Sequence, residues 1–329
     1  MNLLITGGSG FLGTQLARRL LSQGELCGRP IESLVLADRI EQADPAVGND
    51  IRVTTHTGDL LESLPLLFES PFAPYDAVFH LAAAVSGECE EDFSLGLRAN
   101  LLTTEQLLAR LRDQAQTHGL VARFFFASSV AVFGSEPGLP LPPVVTDSTL
   151  PVPQSSYGSQ KFICEQLVAD YTRKGYIDGR VARLMTVSVR PGRPNGAASS
   201  FLSGMVREPL AGEPSLCPVP PETEVALASP ANTIHGILTV MQASREALGG
   251  RTAVNLPALT VSVSQMRQAL IDVAGEETAE LIRFEPDERI AQIVGGWPAR
   301  FDTARARQLG LSADVSYDDV IQQYIDSLA

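Results

Sequence analysis

Asn2-Leu3-Leu4-Ile5-Thr6-Gly7-Gly8-Ser9-Gly10-Phe11-Leu12-Gly13 decides the fold of this chain. The apolar run Asn2 to Ile5 reads as a short strand, and Thr14 to Ser22 carries helical periodicity. Between them Gly7, Gly10 and Gly13 stand three apart. In such a strand–turn–helix unit the first glycine permits a tight turn. The second lets the backbone approach phosphates, and the third lets helix and strand pack closely. The helix start at Phe11 and Leu12 then faces the pyrophosphate of a dinucleotide. A glycine triplet alone also suits a ligand-free flexible turn. Its place between an N-terminal strand and an amphipathic helix makes it informative.

The alternation continues outward from that unit. Ser33 to Ala37 is a second apolar strand ending at Asp38, and Ile51 to Thr55 a third, followed by Gly58-Asp59-Leu60. Tyr75 to Leu81 is a fourth, running into Ala82-Ala83-Ala84. Leu97 to Arg112 reads as a helix, and Ala122 to Ala127 as a fifth strand ending at Ser128-Ser129. Strands separated by crossovers of this length predict an α/β fold with a doubly wound parallel sheet. Leu139 to Pro153 is proline-rich and predicts a loop. Tyr157 to Arg173 is then a helix and Val181 to Val189 a sixth strand.

Beyond Val189 the pattern changes. Arg190 to Pro221 is rich in Pro, Gly and Ser, with a short helix at Ser200 to Val206. Later elements are helices at Thr233 to Ala243, Ser264 to Ala274 and Tyr317 to Ser327, and a strand at Thr252 to Asn255. The expected organisation is a dinucleotide-binding domain over residues 1–189, with a return around 225–257. Residues 190–329 are expected to form mainly a smaller C-terminal substrate-binding subdomain over the carboxyl ends of the strands.

Composition narrows the partners. The chain has 329 residues, 44% hydrophobic and 19% charged, with a formal net charge of −13. That charge, with no basic tract to offset it, argues against nucleic acid. No apolar run reaches the ~20 residues needed to span a bilayer, so no membrane partner is expected. No basic segment followed by an apolar core opens the chain, so no signal peptide is expected and a cytoplasmic location follows. Cys27, Cys89, Cys164 and Cys217 are scattered, with no Cys/His cluster at zinc spacing, which predicts reduced structural thiols and no metal.

The chemistry concentrates in two places. Asp38 ends the second strand, where a carboxylate accepts hydrogen bonds from the adenosine ribose hydroxyls and repels a 2′-phosphate, which favours NAD over NADP. Adjacent Arg39 offers the opposite preference and is outweighed. Asp59 has two readings, an adenine-side contact and a helix N-cap. Tyr157 and Lys161 lie four apart, on one face of a helix. There the ammonium is expected to lower the phenol's pKa, making Tyr157 a proton acceptor and donor near neutral pH. Ser129, at the end of the fifth strand, would hold the reacting oxygen, and Lys161 the nicotinamide ribose. A surface tyrosine beside a solvated lysine is the plain alternative. It fits poorly behind Ser128-Ser129 and the glycine turn. His80 reads as a packed histidine, and His235 carries no evident chemistry.

With these residues the chain resembles an extended short-chain dehydrogenase/reductase, the NAD-dependent epimerase/dehydratase family. The resemblance runs through the glycine turn, Asp38, Gly58-Asp59-Leu60, His80-Leu81-Ala82, Asn100, Ser128-Ser129, Val132-Phe133-Gly134, Tyr157 and Lys161. It implies a Rossmann fold, a C-terminal substrate domain and a homodimer. It also implies that Leu60, Ala82, Asn100 and the segment around Met185 to Val187 line the NAD. The family's sugar-nucleotide dehydratases carry Thr-Asp-Glu where this chain has Ser129-Val130-Ala131, so the acid and base for water elimination are missing. The stretch from Val189 to Leu210 is similar to family members that oxidise a four-carbon sugar acid with NAD. A sugar or nucleotide-sugar epimerase and a uronate dehydrogenase are the alternatives. For a sugar acid, Arg190 and Arg193 suit the carboxylate. Asn195, Ser199, Ser200 and Ser86 suit its hydroxyls. A loop tie for the arginines and an N-cap role for Ser199-Ser200 compete with this. Trp297 reads as core packing or as a loop closing the pocket.

Overall fold

The structure, a computed structural model, describes residues 1–192 and 196–328. Seven parallel strands form the main sheet: β1 (Asn2–Thr6), β2 (Ser33–Asp38), β3 (Val53–Thr57), β4 (Ala77–His80), β5 (Arg123–Ser129), β6 (Asp178–Leu184) and β7 (Val254–Asn255). Their order in space is β3-β2-β1-β4-β5-β6-β7. The order reverses between β1 and β4, where Ile5 pairs with Leu36 on one side and Phe79 on the other. Such a switch point opens a crevice at the carboxyl ends of the strands.

Successive residues of a strand point to opposite faces, and β1 shows it. Leu3 and Ile5 enter the cluster packed under helices α1 (Phe11–Gln23) and Pro230–Gln242. Leu4 joins the opposite cluster with Val35, Val78, Phe124 and Phe126. That face is covered by α2 (Leu60–Glu69), α3 (Thr103–His118) and α4 (Ser156–Arg173). Both faces are therefore dry, as a parallel sheet requires.

A second layer sits beyond. A three-stranded sheet of Thr186–Val187, Glu224–Ala228 and Leu259–Ser262 packs with α5 (Ser200–Leu210) and the helices Val263–Ala274 and Tyr317–Asp326 around Leu202, Met205, Leu227, Met266 and Ile321.

Three expectations shift. The sixth strand is broken at Met185: β6 ends at Leu184, and Thr186–Val187 pairs with Glu224–Ala228 in the second sheet. Both pieces are mostly buried and apolar, so hydropathy cannot show the break. The helix expected from Leu97 begins as a π-helical turn, Leu97–Leu102, before α3. Its wider turn carries Asn100 inward, a geometry common beside functional sites. The third strand starts at Val53, because Ile51 lies outside it and is 99% exposed.

The glycine turn is where backbone approaches are closest. Gly7 has φ 72°, and an added Cβ there would lie 2.8 Å from the Ala82 nitrogen. A Cβ at Gly13 would lie 2.0 Å from the Gly7 carbonyl oxygen. Gly13→Ala is therefore expected to destabilise the fold by about 1–3 kcal/mol, the usual cost of overpacking, and to weaken NAD binding. Urea unfolding and an NAD titration check both. Gly138→Ala, where nothing lies within 4 Å of an added Cβ, should leave both unchanged.

Candidate active site

A cleft of about 550 Å³ opens at the carboxyl ends of the strands. Gly7, Gly10, Phe11, Leu12 and Gly13 form its floor. Gly10 gives α1 no side-chain cap, so the first amides of the helix are left for an anionic group. With Gly7 and Gly13 letting the turn, the Ala82 backbone and α1 close up on one another, this cradle fits a pyrophosphate.

Asp38 stands at the cleft's edge, at the end of β2. Its Oδ2 accepts from the amides of Ser9 and Gly10, both at 3.0 Å, and Oδ1 from the Arg39 amide at 2.7 Å. The carboxylate thus ties the glycine turn to the second strand and stands where ribose hydroxyls would meet it. Asp59 is an N-cap that also faces the cleft. It caps α2 by accepting from the Glu62 amide at 3.3 Å, and it also lines the cleft with Leu60. Arg98, which the sequence analysis did not single out, donates to Asp59 and Glu62 at this rim.

The reacting groups come from β5 and α4. Ser129 is the last residue of β5, and its Oγ accepts from the Ala131 amide at 3.2 Å. Tyr157 is in the first turn of α4, which Ser155 caps through the Gly158 amide at 3.1 Å. A Cβ at Gly158 would lie 2.0 Å from the Ala131 carbonyl oxygen. Only a glycine lets α4 start so near the end of β5, and that approach brings Tyr157 beside Ser129 in the same cleft. One helical turn on, Lys161 Nζ donates to the Ala127 carbonyl at 2.9 Å and lies 5.6 Å from the centre of the Tyr157 ring.

The electrostatics differ from the expectation that Lys161 lowers the phenol's pKa. Burial pushes Tyr157 up to about 12, with the Ser129 hydrogen bond and the Arg190 charge acting against it. Burial also drags Lys161 down to about 8. The physical reason is the direction of the ammonium, which is spent on the Ala127 carbonyl and the face of Phe126, 4.8 Å from its centroid.

On the other wall stands Arg190. Its amide donates to Ser203 Oγ at 3.0 Å, and its carbonyl accepts from Arg207 at 2.8 Å. The backbone is thereby fixed, while the guanidinium Nη2 is buried without a hydrogen-bond partner among the described residues. Ser86 and Ser199 also line the cleft, and Ser86 Oγ accepts from the Ala198 amide at 3.2 Å. Ser200 opens α5 and is not part of the lining. Arg193 and Asn195 lie outside the described residues.

Ala82 and Met185 to Val187 line the cleft. Asn100 stands behind its wall. There Oδ1 accepts from the Ala84 amide at 2.8 Å, and Nδ2 donates to Gln160 Oε1 at 2.8 Å and to the Ala84 carbonyl at 3.1 Å. It shapes the Ala82–Ala84 turn rather than the surface. His80 is packed, as read: its ring bonds Thr6 and Thr104, and burial drives it down to about 3, so it is neutral.

A buried network went unread in the sequence. Arg183 on β6 makes two hydrogen bonds to Glu165 on α4, at 2.9 and 2.7 Å, and Ser128 donates to the same carboxylate at 2.5 Å. The signal was present: Tyr157, Lys161 and Glu165 recur every four residues, one face of α4.

A parallel switch-point sheet, a phosphate-shaped glycine turn and a Ser–Tyr–Lys group in one cleft define a nicotinamide-dependent enzyme of Rossmann type. The family described as NAD dependent epimerase/dehydratase matches residues 3–250. The chain belongs to that family, and NAD is its cofactor. It is 47% identical over 330 residues to a D-erythronate dehydrogenase of Cupriavidus necator, covering 99% of this chain and 98% of that protein. It is 42% identical to a D-erythronate dehydrogenase of Haemophilus influenzae, covering 99% of each. Among solved structures, one described as a nucleoside-diphosphate-sugar epimerase from Agrobacterium tumefaciens superposes with a TM-score of 0.90 at 39% identity. That match covers 99% of this chain and 94% of the other.

Two outcomes test the catalytic group. Tyr157→Phe should leave NAD affinity nearly intact and cut turnover by roughly 10²–10⁴-fold, as loss of a positioned acid/base does. Retention of half the turnover would remove Tyr157 from that role. Lys161 titrates near 8 folded and 10.5 unfolded. Between these values the unfolded chain holds a proton that the folded chain has lost. The wild type should therefore gain stability relative to Lys161→Met from pH 8 to 10.5, by at most about 1.4 kcal/mol per pH unit, with no change in the difference below pH 8. Urea unfolding of both proteins along this series reads it.

Proposed function

We propose that this chain is an NAD-dependent dehydrogenase that oxidises one hydroxyl of a small sugar acid, D-erythronate foremost, to the corresponding oxo-acid. One observation carries the substrate class: the buried Nη2 of Arg190, unpartnered among the described residues, shares the cleft with Tyr157 and Ser129. A buried guanidinium group left without a partner is costly, and a carboxylate is the group whose geometry satisfies it. The two D-erythronate dehydrogenases at 42–47% identity support the same choice.

The residues then have separate tasks. Arg190 holds the carboxylate, with Ser86 and Ser199 near enough to the same space to address hydroxyls. Ser129 holds the reacting oxygen, and the Tyr157 phenol oxygen receives its proton. Bound NAD accepts the hydride from the same carbon. Lys161 lines the cleft beside Tyr157 and is placed for the nicotinamide ribose, and Asp38 for the adenosine ribose. The second layer, with α5, supplies the substrate-binding part. A homodimer in the cytoplasm completes the reading, and gel filtration with light scattering tests the dimer.

Proton acceptance by a phenol raised to about 12 requires its deprotonated form. Oxidation should therefore speed up as the pH rises from neutral into the alkaline range. Arg190→Met should raise KM for D-erythronate by roughly 10- to 100-fold, the worth of a charge-assisted hydrogen bond, with little change in NAD affinity. It should also move the alkaline limb upward, since the Arg190 charge helps to lower the phenol's pKa. The assay follows NADH absorbance with purified protein, D-erythronate and NAD. Stoichiometric free NADH is the expected result. Interconversion of sugar epimers without free NADH would instead favour an epimerase, the activity in the description of the Agrobacterium structure.

A further inference from the structure

Trp297 borders two spaces. It lines the main cleft together with Val130 and Thr186. The same three residues also line a recess of about 10 Å³, barely one water in size, together with Glu224, Val225, Ala226, Val294 and Pro298. Trp297 and its two neighbours therefore lie between the cleft and this recess. Val130 follows Ser129 in the chain, so this wall begins one residue from the group placed to hold the reacting oxygen.

The wall is held from both sides. The Trp297 amide donates to the Val294 carbonyl at 3.2 Å, and the side chain packs on the apolar cluster of the second layer. The preceding helix, Glu288–Gly295, is joined to the helix Ser86–Glu91 by an ion pair from Arg289 to Glu91 at 3.5 Å. Ser86 on that helix lines the cleft. An indole has only two side-chain torsions, so it makes a stiff boundary at small entropic cost.

We propose that Trp297 sets the length of the carbon chain this enzyme accepts. The inference rests on the sugar-acid reading only for the nature of the substrate. The reacting hydroxyl is fixed at Ser129 and Tyr157, and one end of the molecule at Arg190. What remains of the chain must then fit against a wall that does not yield. Removing the indole frees its own volume and joins the cleft to the recess beside it.

The test is a panel of three- to six-carbon sugar acids and the matching neutral polyols, with wild type, Trp297→Ala, Trp297→Leu and Trp297→Phe. The expected result is a rise in kcat/KM for five- and six-carbon substrates relative to four-carbon ones. Its size should be roughly 10- to 200-fold in the Ala variant, the discrimination that one methylene commands in an apolar pocket. The Leu and Phe variants should rank between Ala and wild type. Because Trp297 also packs on the second core, the Leu and Phe variants keep the test valid should the Ala variant fail to fold. Equal losses at every chain length in the folded variants would make the indole mere packing and overturn the proposal. A wild type that oxidises polyols but no acids would overturn the sugar-acid reading alone, because the length ratios remain measurable. A wild type that oxidises neither would overturn both.

Discussion

The buried pair of Glu165 and Arg183 is the interaction on which the rest of the site depends. It joins α4 to β6 by two hydrogen bonds and reaches β5 through Ser128. Arg183 Nη1 then donates to Asn255 Oδ1 on β7 at 3.3 Å, and Asn255 donates to the Thr146 carbonyl, which lies not in a loop, as the prolines of Leu139 to Pro153 suggest, but in a short strand, Val145–Thr146, paired with Phe301–Asp302. The guanidinium stacks 4.8 Å from the Phe133 ring centroid. Leaving one member of such a pair unpartnered costs about 3–5 kcal/mol. Every element that carries a reacting group is tied into this network or lies one residue from it. Ser129 follows Ser128, and Lys161 precedes Glu165 by one helical turn.

A second constraint acts at the opposite end of the cleft. The glycine turn must let α1 lie within contact distance of the Gly7 carbonyl, and Asp38 must hold the turn against β2 through the Ser9 and Gly10 amides. The two junctions flank the β1–β4 switch point, which is why the glycine turn and the Ser129–Tyr157–Lys161 group line one crevice. Local charge runs against the overall balance. The chain carries −13, yet Lys161 and Arg190 stand close to the reacting tyrosine. Desolvation is the largest influence on all three groups. It raises Tyr157, lowers Lys161 and lowers Arg190. It therefore outweighs the single lysine–tyrosine attraction that a helical spacing of four suggests.

Much of this was legible without coordinates. The alternation of apolar runs and helical stretches through residue 184 predicts the parallel sheet, because hydrophobic period and crossover length are local properties. Gly7, Gly10, Gly13, Asp38, Ser129, Tyr157 and Lys161 were legible for the same reason. Each is placed by a short motif at the end of a strand or on one face of a helix, and all of them line the cleft.

The rest depended on packing between distant segments. Asn100 is carried to the Ala84 backbone by a π-helical turn, which no periodicity announces. Glu165 and Arg183 are 18 residues apart in sequence and meet only because α4 crosses back over β6. The change of sheet at Met185 is hidden because both sheets bury similar side chains. Trp297 reaches the cleft from more than a hundred residues away. The amino-acid sequence by itself determined the doubly wound sheet, the glycine turn and the candidate Ser129, Tyr157 and Lys161 group, since these follow from periodicity and spacing. Tertiary structure alone decided the shifts of Tyr157 and Lys161, the burial of Arg190 Nη2 without a partner among the described residues and the approach of Trp297 to the cleft. Desolvation and contact between remote segments exist only once the chain has closed around them.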